Sequence, residues 1–206
     1  MQDAGQNNTE LLKGNNGNAK PVNYIKEIYE WFEAIVFSVI VIIILFTFVF
    51  RIVGIKGSSM ENTVFQGDRV IISNLFYTPK QGDVVVISRN YMNEAGDKDD
   101  RDTPIIKRVI ATEGQDVTIN PVTGAVTVDG VVLSEDYIKD DQITTWLDGS
   151  KKEKTITVEK GHIFVMGDNR GLSLDSRSSE IGQVDTRYVL GHALARVYPF
   201  NQIGGL

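Results

Sequence analysis

The chain has no cysteine among its 206 residues, and that absence removes disulfides, thiolate zinc sites and cysteine nucleophiles together while leaving the redox compartment open. Only two histidines are present, too few for a histidine-rich metal centre, and nothing else in the sequence calls for a metal or a cofactor. Excess positive charge is missing as well. Lys and Arg number 21 against 27 Asp and Glu, a formal net charge of -6, and no clustered cationic stretch exists to neutralise phosphates, so nucleic acid is excluded as a partner. The length leaves room for one membrane anchor and a single domain of about 150 residues, but not for two full domains. There is no internal repeat.

What is present divides sharply along the chain. Residues 1–22 are rich in Asn, Gly and Gln without apolar periodicity and are expected to form a flexible tail, since such a composition cannot bury enough surface to order itself. From Asn23 the pattern turns helical: Ile25, Ile28, Tyr29 and Phe32 share one face, with Lys26, Glu27, Glu30 and Glu33 elsewhere. Ala34 to Phe50 carries no charge, and continuing past Arg51 through Ile52 and Val53 gives roughly 20 mostly apolar residues, enough to cross a hydrocarbon core of about 30 Å. The spacing therefore predicts a helix over 23–53, with Tyr29, Trp31 and Phe32 at the near interface and Arg51 snorkelling at the far one. A cleaved leader would place its apolar run nearer a basic start and follow it with a small-residue site, and a soluble core helix would keep a polar stripe. The run does neither, so the expectation is an uncleaved anchor in a lipid bilayer. Its orientation is not set by charge: Lys13, Lys20 and Lys26 precede the span, while Arg51, Lys56 and Arg69 follow it.

Beyond Gly57 the texture changes to short β-rich runs separated by turn signals. Strands are expected at residues 69–73, 83–88, 105–112, 116–119, 125–128, 131–133, 155–158, 162–166 and 189–198. Asp129-Gly130 between two Val-rich runs predicts a type I′ hairpin. So many short strands with almost no helical periodicity imply a mainly β protein, a single transmembrane helix followed by an antiparallel β-barrel-like domain over 54–206. Residues 93–103 and 134–154 are expected to be polar surface loops.

Three segments carry candidate chemistry. Gly57-Ser58-Ser59-Met60 follows the anchor immediately, so whatever it does happens close to a membrane surface. In Ile105 to Ile110 a lysine interrupts an apolar strand, and Lys107 shares its face with Ile105 and Val109. Bringing such an amine from its reference pKa of about 10.4 to near 7 costs the charged form about 4 kcal/mol, within reach of a desolvated pocket, and a neutral lysine is a competent base. Gly167 to Arg177 is a turn dense in polar and charged groups after the apolar run Ile163 to Met166. His162 and His192 lie in apolar strands and read as ordinary strand histidines. Asp97, Asp99, Asp100 and Asp102 lack the Gly and the closing Glu of a calcium loop.

Taken in this order, the three segments resemble the bacterial type I signal peptidases of the single-span, Gram-positive-like type, from the anchor to about Tyr198. The family pattern Ser-Met-x-Pro-Thr stands here as Ser59-Met60-Glu61-Asn62-Thr63, the Lys-Arg-Val-Ile strand as Lys107 to Ile110, and the Gly-Asp-Asn-Arg box with its Ser-x-Asp-Ser-Arg as Gly167 to Arg177. The resemblance implies Ser59 as nucleophile, Lys107 as general base and Ser173 as the hydroxyl that orients the amine. It implies an Asp175–Arg177 ion pair, with Asp168, Asn169 and Arg170 shaping the turn. Gly57 and Ser58 would form the oxyanion turn, and Ile55, Met60, Val64 and Ile106 the pockets for small residues of an Ala-x-Ala type leader. The implied partners are secretory preproteins, bound as an added strand and cleaved at a bacterial cell membrane, with the N-terminus cytoplasmic and the β domain outside. Position 62 departs from the pattern, where Asn replaces the usual Pro, and this is expected only to loosen the turn.

Two rivals follow from the same residues. The self-cleaving SOS repressors also pair Ser with Lys but carry a DNA-binding module in place of an apolar run. A catalytically silent signal-peptidase-like scaffold or assembly factor would be expected to lose the serine or the lysine, and both are present. The oligomeric state is left open by the sequence.

Overall fold

A computed structural model describes residues 24–88, 104–139 and 142–206. The expected tail at 1–22 and the insertion at 93–103, with its acidic run, lie outside the described residues. By its contacts the chain divides into two units, residues 1–42 and 43–206.

Helix α1 runs Tyr24–Phe48, 25 residues, and is long and apolar enough to cross a membrane. At 1.5 Å per residue it measures about 37 Å against a hydrocarbon core of about 30 Å. Its side chains are exposed throughout, as an apolar surface made to face lipid would be. The two hydroxyls inside the apolar stretch do not stand open to that environment: Ser38 donates to the Ala34 carbonyl at 2.7 Å and Thr47 to the Ile43 carbonyl at 2.7 Å.

The helix ends earlier than its apolar composition suggested. Phe50–Gly54 is strand β1, paired antiparallel with β2 (Arg69–Ser73) from Phe50 opposite Ser73 to Gly54 opposite Arg69. Composition cannot separate the two states, because Val49 to Val53 are, apart from Arg51, aromatic and β-branched residues that serve a strand at least as well as a helix; the ladder to β2 decides.

From β1 onward the protein is mainly antiparallel β, as the short apolar runs implied. The remaining strands are β3 (Val84–Ile87), β4 (Ile105–Thr112), β5 (Asp116–Ile119), β6 (Val126–Val128), β7 (Val131–Val132), β8 (Lys154–Thr157), β9 (His162–Met166), β10 (Val184–Asp185), β11 (Val189–Tyr198) and β12 (Gly204–Gly205). An eight-stranded sheet takes the order β1-β2-β11-β3-β4-β9-β10, with β12 on β11, and a four-stranded sheet the order β7-β6-β5-β8. In the larger sheet β3 and β9 are buried on both faces, which is why Val84–Ile87 and Ile163 to Met166 read as unbroken apolar runs. Strand β4 pairs with β3 through Ile105 to Arg108 and with β9 from Arg108 onward, with a register shift between Val109 and Ala111. Such a shift bends the strand and increases its twist. The Asp129-Gly130 turn has φ of +52° and +79°, both positive as a type I′ turn requires, and joins β6 to β7.

Among the described residues, three apolar clusters fill the β unit. One lies under the small sheet around Val117, Ile119, Trp146 and Phe164; a second gathers Ile55, Met60, Val64, Val70, Ile72, Val84 and Ile106; a third holds Val85, Ile87, Val109, Ile163 and Val165. Trp146, with Thr144 beside it, corrects the expectation of a surface loop over 134–154: both are buried, and Trp146 packs edge-on to Phe164 with ring centroids 6.2 Å apart. A polar composition hid a segment that pins itself to the core with one aromatic ring.

Candidate active site

Strand β4 delivers its lysine into the interior. Lys107 is 3% exposed, and its amine Nζ lies 2.7 Å from Ser59 Oγ and 3.1 Å from the Ile106 carbonyl. The structure thus brings together two residues 48 apart in sequence, one from the middle of a strand and one from the turn after residue 57. With the amine charged, it donates to the serine oxygen. Neutral in the same place, it would accept the hydroxyl proton.

The turn that offers Ser59 is built on Gly57 at φ +84°, a conformation that disfavours side chains, and closes through Met60 to Val64 with Thr63 and Val64 amides donating to the Met60 carbonyl. Ser58 and Ser59 are half-buried and Gly57 is exposed. Ile55, Met60, Val64 and Ile106 sit together in the second apolar cluster, each at most 6% exposed. In this conformation they are core residues next to the dyad.

Arg108, the next residue of β4, makes the joint between strand, turn and box. Its Nε and one terminal nitrogen donate to the two Asp168 oxygens at 2.8 and 2.7 Å, the other to the Gly82 carbonyl at 2.8 Å, and Thr63 Oγ1 accepts at 3.1 Å. The Thr63 hydroxyl in turn donates to Asp168. Two planar donors against one carboxylate fix distance and angle together, which a lysine at that position could not do. The Tyr137 ring lies over this guanidinium, 4.1 Å from its centroid, and burial followed by the nearby Glu135 carboxylate pushes the Tyr137 hydroxyl pKa well above the ordinary tyrosine value.

The box after β9 is a polar knot folded inward. Asp168, Asn169, Arg170, Ser173, Asp175, Ser176 and Arg177 are all buried, and most of them satisfy one another and the backbone around them. Arg177 grips both Asp175 oxygens at 2.7 and 2.8 Å and the carbonyl of Arg170 at 2.9 Å; Asp175 accepts from the Gly167 amide at 2.9 Å. Arg170 reaches Glu135 at 2.5 Å and Thr144 at 2.6 Å. Asn169 holds the nucleophile turn from behind, its amide N–H on the Ser59 carbonyl at 3.0 Å and its side chain on the Ser58 carbonyl at 3.1 Å. The Ser173 hydroxyl is the exception, 4% exposed and with no hydrogen-bond partner among the described residues. It faces Gly167, where any Cβ would collide with the Ser173 side chain and with the Ser59 carbonyl. The Lys107 amine meets Ser59 and Ile106, and the expected bond between that amine and Ser173 is not formed in this conformation.

Both histidines have other surroundings. His192 stacks on Tyr77 with centroids 5.1 Å apart and approaches Asp83 at 3.8 Å, while His162 Nδ1 lies 3.0 Å from the Lys160 carbonyl. A cavity of about 550 Å³ lined by Tyr77, Glu113, His162 and Arg187 includes neither Ser59 nor Lys107.

Thr63, Arg108, Glu135, Tyr137 and Gln142 belong to this neighbourhood and were not singled out from the sequence. Arg108 and Thr63 fall inside the sequence motifs, but no role was assigned to either there. Nothing marked Glu135, Tyr137 or Gln142, because a polar residue in a polar stretch reads as surface until its partner is known.

The sequence profile of the family described as signal peptidase, peptidase S26, matches residues 28–198. A signal peptidase I of Bacillus licheniformis is 30% identical over 190 residues, covering 89% of this chain and 96% of its own. A probable signal peptidase I-1 of a Synechocystis strain is 34% identical over 155 residues, 74% of this chain and 73% of its own. A crystal structure of a signal peptidase I from Enterococcus faecalis V583 matches at 26% identity with a TM-score of 0.41, covering 56% of this chain and 97% of its own. Matched along most of its length, the chain belongs to the signal peptidase family and is a serine peptidase.

Proposed function

We propose that the protein removes N-terminal signal peptides from secreted preproteins by a Ser/Lys dyad. The observation that carries this reading is the 2.7 Å approach of the buried Lys107 amine to the Ser59 hydroxyl. Burial disfavours the ammonium form and so favours the neutral amine that a general base has to be. Neutral Lys107 accepts the Ser59 proton as Ser59 Oγ attacks the scissile carbonyl. The tetrahedral oxyanion is held by backbone N–H groups of the Gly57-Ser58-Ser59 turn. On collapse the leaving amine takes the proton from Lys107 and departs as the new N-terminus. A water that Lys107 then deprotonates hydrolyses the Ser59 ester and restores the hydroxyl.

Ser173 orients the amine in this scheme. A buried hydroxyl without a partner costs about 1–3 kcal/mol, which is relieved when it bonds the lysine nitrogen. The Asp175–Arg177 pair and the Asp168, Asn169 and Arg170 contacts hold the box that presents it. The leader binds extended at the sheet edge, with small residues of an Ala-x-Ala type entering pockets formed at Ile55, Met60, Val64 and Ile106. Helix α1 spans the bacterial membrane once, N-terminus cytoplasmic and the β domain outside, on the side where leaders emerge. The test is incubation of the purified protein in detergent with a preprotein, mapping the cut by mass spectrometry beside a Ser59→Ala control. Cleavage after a small residue by the wild type alone is expected. An uncut preprotein, or equal cutting by the control, overturns the reading.

A further inference from the structure

Position 62, where the family usually has Pro, has a backbone φ of +94°. A proline ring holds φ near -65°, so no proline fits this turn as it is folded here, whereas Asn is among the few residues with a Cβ that enter the left-handed region readily. The asparagine also reaches outward: its Nδ2 donates to the Ile138 carbonyl at 2.9 Å, across 76 residues of sequence. Its neighbour Glu61 accepts from Lys139 Nζ at 3.1 Å and lies 3.4 Å from Asn169 Nδ2. The Lys139 amide approaches the Asp168 carbonyl at 3.3 Å. Further along, Gln142 clamps Asn169 Oδ1 at 2.7 Å and accepts from the Gly171 amide at 3.0 Å. The nucleophile turn is thus held between the box, through Asn169 on the Ser58 and Ser59 carbonyls, and the segment Glu135–Lys139, through Glu61 and Asn62.

The geometry points to Asn62 as a positioning residue: by bonding the Ile138 carbonyl it fastens Glu135–Lys139 across the Ser58–Thr63 turn and so keeps the Ser59 hydroxyl within reach of Lys107. The inference rests on the Ser/Lys reading of the site. Asn62 touches no reacting atom and acts through the turn. Loosening the turn lowers the fraction of bound complexes in which Ser59 is aligned, an effect on kcat, whereas the leader still binds along the sheet edge.

The test uses the full chain in detergent with a synthetic leader peptide. Asn62→Gly keeps the positive φ and removes the bond; Asn62→Asp keeps size and φ but opposes an acceptor to a carbonyl oxygen. Loss of one such bond corresponds to roughly a three- to tenfold fall in kcat. That fall is expected in the Gly variant and a larger one in the Asp variant, with KM within about twofold, the thermal midpoint little changed, and the pH at half-maximal rate unmoved. Lys139→Met combined with Asn62→Gly should lose less than the product of the two single losses, because both fasten the same segment. Unchanged kcat in Asn62→Gly, or a loss confined to KM, overturns the assignment. A Ser59→Ala control separates the levels: an inactive control with a fully active Asn62→Gly defeats only the positioning role, whereas an active control defeats the dyad itself.

Discussion

At the scale of single residues, the proposed mechanism requires one amine to be neutral where amines usually are not. An exposed lysine with a pKa of about 10.4 is roughly 0.04% neutral at pH 7, so a solvated Lys107 would leave almost no active enzyme. If the neutral amine is the working form, as proposed, log kcat/KM should rise with pH and level off at an apparent pKa well under about 10. Initial rates over a pH series read this directly, and a line still climbing beyond that value would contradict it. Lys107→Arg, which stays charged at every accessible pH, should be inactive throughout. Lys107→Ala should lose at least about 10²- to 10⁴-fold, the range of general-base contributions. His162→Gln and His192→Gln should keep most of the activity, since the rings contact Lys160, Tyr77 and Asp83. Gly167→Ala is a stricter probe of packing. Its methyl would meet the Ser173 side chain and the Ser59 carbonyl at once, so both melting temperature and kcat should drop together.

At the scale of elements, strand, turn and box meet at Asp168. Arg108 is 9% exposed and Asp168 fully buried, and the pair also carries the Thr63 hydroxyl. Removing one partner of such a pair strands the other as an uncompensated buried charge, at about 3–5 kcal/mol. Asp168→Ala should therefore lower the urea midpoint sharply, and a shift worth under about 1 kcal/mol, the upper end of what exposed pairs typically contribute, would show that water reaches Arg108 in the folded state. The strands were legible because their burial writes itself into apolar runs, as at β3 and β9. The end of α1 was not. Residues Phe50 to Val53 suit either state, and only the partner strand 17 to 23 residues later, β2, makes them a strand. Glu135 and Tyr137 were illegible for the same reason, their meaning residing in Arg170 and Arg108.

At the scale of the whole molecule, the early end of the helix changes where the chain can be divided. A truncated chain beginning at Val49 keeps all of β1 and should fold and still cut a soluble leader peptide, whereas one beginning at Ile52 loses the Phe50 and Arg51 rungs of the ladder to β2. Circular dichroism melts of the two, run beside the cleavage assay, compare them; equal stability would mean that β1 contributes nothing to the sheet. If α1 serves only to hold the enzyme at the membrane, kcat on that soluble peptide should change little in the Val49 form. A folded but inactive Val49 form would instead make the span part of the site.

The sequence by itself determined the class of the molecule: an apolar run long enough for lipid, short alternating and apolar strands after it, and three motifs that resemble those of the signal peptidases. The run and the strands are local properties, set by composition and by periods of two or three to four residues, and the motifs are local strings known by their resemblance; all survive without knowledge of the fold. Tertiary structure alone decided the rest. It set Lys107 against Ser59 at 2.7 Å, folded seven polar box residues inward, and tied Asn62 to Ile138. The first and the last are pairings across tens of residues, and a pairing is a property of two places in the chain that neither place records.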